Sequence, residues 1–202
     1  MPKEVLSYLD ESLKNKKSLV IAGPTGSGKT ELQKFLLSRI EDNSRVIVID
    51  NIQELEFLRI NENIDLTSWQ ISPNNQYGTI QELIRNALRS NPDWLVIAEA
   101  RGGEMYDVLN SIMTGHPVVT TLHAESLESI PDRICRMVEM GTKNEKHEDI
   151  LNDVYSHVKT CVFLNRDYSK DKKVLRYVES IGELKKDGSL QIIYRRRTNE
   201  KN

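Results

Sequence analysis

The chain has two cysteines in 202 residues, Cys135 and Cys161, and the pair forms neither a metal-ligand spacing nor a disulfide framework. They read as small buried hydrophobes of a reducing compartment. Excess charge of one sign is also missing. The formal net charge is -2, which gives no electrostatic reason to expect duplex nucleic acid as a general partner. Both signs are interspersed along the chain, as suits a solvated surface. There is no apolar run of membrane-spanning length and no cleavable signal, so the expected location is cytosolic unless a partner recruits the chain. The length suffices for one substantial α/β core, whereas two domains would each be small and marginal.

What the chain does have is Gly23-Pro24-Thr25-Gly26-Ser27-Gly28-Lys29-Thr30, which fills every required position of a phosphate-binding loop. Ser18 to Ala22 reads as a buried strand entering it, and Glu31 to Ile40 as a helix leaving it. In that context the glycines let backbone N–H groups close round the phosphates of a nucleoside triphosphate at the positive end of a helix. Lys29 adds a point charge, and the Thr30 hydroxyl is suited to Mg²⁺. A Gly-rich turn that binds nothing needs no such flanking elements.

Strands and helices alternate along the chain, which predicts a mainly parallel sheet. Val5 to Lys14 carries apolar residues at helical spacing. Arg45 to Ile49 is an apolar run ending in Asp50, and residues 61 to 78 are polar and read as a long loop. Thr79 to Ser90 is an amphipathic helix stopped by Asn91-Pro92. Trp94 to Ala98 reads as a buried strand ending at Glu99, Tyr106 to Met113 as a helix, and Val118 to Leu122 as a strand ending at His123. A helical region from Ser126 to Met140 precedes a polar loop, Gly141 to Glu148. From Thr160 to Arg195, two or three β-branched runs with Lys186-Asp187-Gly188 as a tight turn predict an antiparallel hairpin at the sheet edge.

The loop, Asp50, Glu99 and His123 all fall at carboxyl ends of strands, where parallel α/β sheets bind ligands. An acid after an apolar strand is often only a helix cap, and a lone histidine is more often a surface or core residue. Their order behind a phosphate loop is the stronger signal. Hydrolysis at a γ-phosphate needs Mg²⁺, an acid to orient water and a sensor of phosphate state, and these residues offer one candidate for each.

Leu88-Arg89-Ser90-Asn91-Pro92-Asp93, Ala98-Glu99-Ala100-Arg101-Gly102-Gly103-Glu104, Thr114-Gly115-His116 and Thr120-Thr121-Leu122-His123-Ala124 follow in order. With Arg45 to Leu55, they resemble the Asp box, Walker B segment and His box of the secretion-superfamily ATPases of type II and type IV secretion, type IV pili and conjugation. The Arg-Gly-Gly-Glu wording is closest to the pilus-assembly and conjugation branches. The resemblance runs from about Leu19 to Arg136, and more weakly beyond.

It implies a RecA-like P-loop fold with a C-terminal antiparallel extension, hydrolysis of ATP with Mg²⁺, and a homohexameric ring working on membrane-embedded platform proteins at the inner face of the cell membrane. It implies no sequence-specific nucleic-acid binding. It also implies residue roles. Glu99 matches the Walker B acid, Asp50 and Glu54 match Asp-box carboxylates that act on water, and His123 matches the box histidine, with His116 as its partner. Arg101 and Arg89 fall on basic positions. An N-terminal domain and a neighbouring subunit are expected to complete the pocket with arginines. The sequence departs from the family at Asp50-Asn51, where Glu-Asp is usual; the shorter acid would stand roughly 1.5 Å further from the water. Glu31 replaces a second threonine and puts a carboxylate near the phosphates. Two other readings stay open, a P-loop phosphotransferase acting on a small molecule and a nucleotide-binding structural subunit. Trp69 and Tyr77 read either as adenine contacts or as loop anchors, and Arg195-Arg196-Arg197 as a solvated charge run or a contact to nucleic acid or membrane. Lys143 to Asp149, with His147, reads as an exposed loop.

Overall fold

The computed structural model describes residues 1–50, 55, 63–71, 78–168 and 173–197; Asn51, Glu54 and Tyr77 lie outside them. In chain order the elements are α1 (Lys3–Lys14), β1 (Leu19–Ala22), α2 (Lys29–Leu37), β2 (Arg45–Asp50), β3 (Asp65–Gln70), α3 (Ile80–Arg89), β4 (Trp94–Ile97), α4 (Met105–Met113), β5 (Val118–Leu122), α5 (Ile130–Gly141), α6 (His147–His157), β6 (Thr160–Tyr168), β7 (Val174–Leu184) and β8 (Leu190–Arg195). The strands make one sheet in the order β3-β2-β4-β5-β1-β6-β7-β8. From β3 through β6 every neighbour pairs in parallel, and β7 and β8 are added antiparallel.

Continuous Val/Ile/Leu runs serve as central strands because helices cover both faces of the sheet. Side chains alternate along a strand, so each run divides between two cores. In β1, Leu19 and Ile21 pack with Val5 and Leu9 of α1 and Leu32 and Leu36 of α2. Val20 and Ala22 point the other way, into a cluster with Ile84 of α3, Val108 of α4, Ile134 of α5 and Val154 of α6. Cys135 and Cys161 belong to that second cluster, unbonded, and burial pushes both thiols up to about 12. Helix α1 is pinned to the antiparallel strands at Glu183, which accepts from the Tyr8 hydroxyl at 2.8 Å and pairs with Lys17 at 2.6 Å and Lys185 at 2.5 Å. Burial alone raises the Glu183 carboxyl, but the hydrogen bonds from Lys17, Lys185 and Tyr8 outweigh it and hold the group at about 2.

Two elements differ from the expectation. The polar stretch read as a long loop contains β3, paired in parallel with β2 from Arg45↔Asp65 to Asp50↔Gln70. As an edge strand it is half-buried at most, so it carries no apolar pattern and is held by backbone pairing. The polar loop after α5 ends early, since α6 begins at His147 and docks through only two fully buried residues, Ile150 and Val154. His147 Nδ1 donates to Glu139 Oε1 across 2.8 Å, and no group of residues able to hold a metal occurs among the described residues. Helix α5 starts later than the expected Ser126, because Ser126 and Ser129 bond each other's backbone N–H groups in a turn ahead of Ile130. Among the described residues no helix is long and apolar enough to cross a membrane.

Candidate functional site

Because β1 lies between β5 and β6, with β4 beyond β5, the loop after β1 opens at the middle of the carboxyl edge. Gly23 starts it at φ 150, and a Cβ there would stand 2.3 Å from the Leu164 carbonyl oxygen of β6, so only glycine lets strand and loop approach this closely. Gly28 ends it in the left-handed region at φ 94 and precedes α2, whose first turn receives no side-chain cap. The amides at that helix start are therefore available to an anion. The buried Ser27 hydroxyl has no hydrogen-bond partner among the described residues, which also suits a ligand rich in acceptors.

Lys29 is 8% exposed. Its ammonium donates to the Gly23 carbonyl at 2.9 Å and the Pro24 carbonyl at 3.2 Å, and lies 3.4 Å from His123 Nδ1. Burial lowers its pKa, with the charge of Glu99 acting the other way. On the far side of the imidazole, His123 Nε2 is 2.8 Å from Glu99 Oε1. Since Nδ1 faces an ammonium that can only donate, Nδ1 accepts and Nε2–H donates to Glu99. The other Glu99 oxygen, Oε2, takes Arg101 Nε at 2.8 Å and Nη2 at 2.7 Å. Arg101 is itself fixed from behind, because the Glu104 carboxylate accepts its backbone N–H and that of Gly102. One connected chain, Lys29–His123–Glu99–Arg101, thus crosses the ends of β1, β5 and β4.

Asp50, at the end of β2, is 4% exposed and its Oδ2 accepts the Leu55 N–H at 3.1 Å. A cleft of about 520 Å³ is lined by Thr25, Gly26, Gly28, Lys29 and Thr30 of the loop, together with Asp50, Glu99, Arg101 and His123. Glu31 stands at its rim but is ion-paired to Lys34 at 3.0 Å. Gly23, Pro24 and Ser27 belong to the loop without lining the cleft, and Glu54 is outside the described residues.

Two expected members are elsewhere. His116 precedes β5 while His123 follows it; five strand residues at about 3.3 Å each separate them. His116 bonds Thr114 Oγ1 instead, at 3.2 Å, and is no partner of His123. Arg89 ends α3 ahead of β4, so it sits at the amino edge, away from the loop. Trp69 lies in edge strand β3, and Arg196 stacks on the Tyr177 ring at 4.0 Å. Sequence reasoning quoted Glu104 and Thr121 only as motif residues, without a role, and missed Arg176. Thr121 lines the cleft and donates to the Ala98 carbonyl at 2.7 Å; Arg176 reaches it from β7. The acid three positions after Arg101 was a readable capping signal, whereas nothing local marks Arg176.

The family model described as "Type II/IV secretion system protein" matches residues 1–184. The chain belongs to that family. This secretion-system family member is 30% identical over 207 residues to an uncharacterised Bacillus anthracis protein, covering 99% of the chain and 46% of the relative. It is 32% identical over 173 residues to the type IV secretion system protein VirB11 of Bartonella quintana, covering 84% of the chain and 48% of that protein. Among solved structures, the VirB11 ATPase of the Brucella suis type IV secretion system, in complex with sulphate, superposes with a TM-score of 0.75 at 30% identity. That match covers 88% of the chain and 51% of the ATPase. The chain therefore spans about half the length of the relatives it matches.

Proposed function

We propose that the cleft binds Mg²⁺·ATP and that the chain is the hydrolytic part of a motor ATPase energising type II/IV-like secretion, pilus assembly or conjugative transfer. The observation that carries this reading is the Lys29–His123–Glu99–Arg101 chain at the mouth of an uncapped phosphate loop. Membership of a family whose named relatives include VirB11 ATPases supports it. The homohexameric ring and the membrane-embedded partners belong to the same proposal.

Thr30 and Glu99 are the residues suited to Mg²⁺, which when bound neutralises phosphate charge and polarises the terminal phosphoryl group. The residues of Gly23 to Thr30, Pro24 excepted, wrap the phosphates with backbone N–H groups. Lys29 turns its donors from the two loop carbonyls to the phosphate oxygens. Water attacks the γ-phosphorus, the bond to the bridging oxygen breaks, and ADP and inorganic phosphate leave. Glu99 is already oriented for this step by Arg101 and His123, so its carboxylate needs no rearrangement at the moment of reaction. Asp50 lies in the same cleft, where its Oδ2 accepts the Leu55 N–H, and is the second carboxylate placed to act on water. When Lys29 moves to phosphate, His123 loses the neighbour at Nδ1, and its bond to Glu99 carries that change to the strand end of β4.

Glu99→Gln keeps the shape and removes the charge. ATP binding should remain within a few-fold of the parent while phosphate release slows at least tenfold, about 1.4 kcal/mol of barrier. Release at the parental rate would remove Glu99 from the reaction.

A further inference from the structure

Strands β6 and β7 pair so that Arg166 stands directly opposite Arg176. Like charges in that position repel and destabilise a sheet. Neither guanidinium has a carboxylate partner among the described residues. Both are brought onto the phosphate loop. Arg176 Nε donates to the Gly26 carbonyl at 2.9 Å, and the residue lines the same cleft as Lys29, Thr30 and Glu99. Arg166 Nη1 stands 2.6 Å from where a Cβ on Gly26 would be, so the second guanidinium lies against the same glycine. The acids nearby are already engaged: Glu31 with Lys34, Glu99 with Arg101 and His123, and Asp50 with the Leu55 N–H. Three cations, Lys29, Arg166 and Arg176, therefore meet at one loop and one open helix start, and among the described residues neither arginine has a carboxylate to balance it. A repulsive cross-strand pair aimed at a phosphate loop is explained by a polyanion that binds between them.

We infer that Arg166 and Arg176 form a phosphate-binding pair supplied by the β6–β7 hairpin of the same chain. This rests on the nucleotide reading above and adds to it the source of the arginines. The pair holds the phosphate chain of a nucleoside di- or triphosphate from the hairpin's side of the loop. It acts in cis, so phosphate affinity does not wait on a neighbouring subunit. Arg176, whose Nε is tied to Gly26, keeps its two terminal nitrogens for oxygens of the ligand. Because both side chains are in place before any bond changes, they stabilise bound nucleotide and transition state alike, and their loss raises KM more than it lowers kcat.

The test is titration calorimetry of the parent chain, Lys29→Ala, Arg166→Ala, Arg176→Ala, the double alanine variant and Arg166→Lys/Arg176→Lys, with Mg·ADP and with inorganic pyrophosphate. Thermal melts are run on each without ligand. Each alanine should weaken both ligands roughly tenfold, the size of a charge-assisted hydrogen bond, and lysine should restore part of the loss. Without ligand the double variant should melt no lower than the parent, because a repulsion has been removed. Lys29-dependent binding in the parent with parental affinity in the double variant overturns the arginine pair and leaves the nucleotide reading standing. Affinity lost together with a lowered unliganded melting temperature also overturns it, since the arginines are then structural. Binding equally strong in Lys29→Ala removes the nucleotide reading, and the pair with it.

Discussion

Two helices of this chain begin in opposite ways. At α3, Thr79 accepts the Glu82 N–H at 3.3 Å and Glu82 accepts the Thr79 N–H at 2.6 Å, so the first turn satisfies its own donors. At α2, Gly28 holds a left-handed conformation and supplies no side-chain cap to the first-turn amides. The first start is built for stability and the second withholds that stabilisation, leaving its donors for a ligand. The surroundings agree. The α3 start is exposed and its acid, Glu82, bonds the cap residue, whereas the α2 start gathers Lys29, Arg166 and Arg176 while its first-turn acid, Glu31, is paired to Lys34. The same difference separates the sheet's two edges: loop, acid and histidine lie at the carboxyl edge, while Arg89 and His116 lie at the amino edge, away from them.

The contrast can be broken most severely at Gly23. In Gly23→Ala the new methyl group meets the Leu164 carbonyl, and φ 150 is itself costly for alanine. Nucleotide affinity, followed with a fluorescent ADP analogue, should fall more than tenfold, with about 1–3 kcal/mol lost from stability. The smaller test is at the closed start. Thr79→Ala should cost about 1 kcal/mol in urea unfolding and leave nucleotide affinity unchanged. An affinity loss in Thr79→Ala would mean the two helix starts are coupled and the division of labour drawn here is wrong.

The legible parts of the molecule were those where chemistry is local. Strands β2 and β5 were read to within a residue because their apolar runs are continuous and buried throughout. Helix α3 was read from Thr79, though the capping box that Thr79 forms with Glu82 was not. Edge strand β3 and helix α6 were not, since Asp65 to Gln70 buries little and α6 docks on only Ile150 and Val154. The site divides similarly. Gly23 to Thr30, Glu99 and His123 announce themselves by residue type and by position after strands. Their contact depends on β4, β5 and β1 being neighbours, which chain order alone does not dictate. Arg166 and Arg176 become neighbours only through the antiparallel register of β6 and β7, and no local pattern marks them. His116 was misassigned for the converse reason: seven residues from His123 in sequence, it has a whole strand between.

The uncapped start of α2, with Lys29, is proposed as a polyphosphate site. The most direct measurement is calorimetric titration of Mg·ADP into the parent chain and into Lys29→Ala, with unliganded melts of both. Lys29 is buried and its charge is disfavoured there, so its removal should leave the unliganded melting temperature undiminished. The account predicts saturable one-site binding to the parent and at least tenfold weaker binding to Lys29→Ala, about 1.4 kcal/mol. Equal affinity in the two proteins would contradict it.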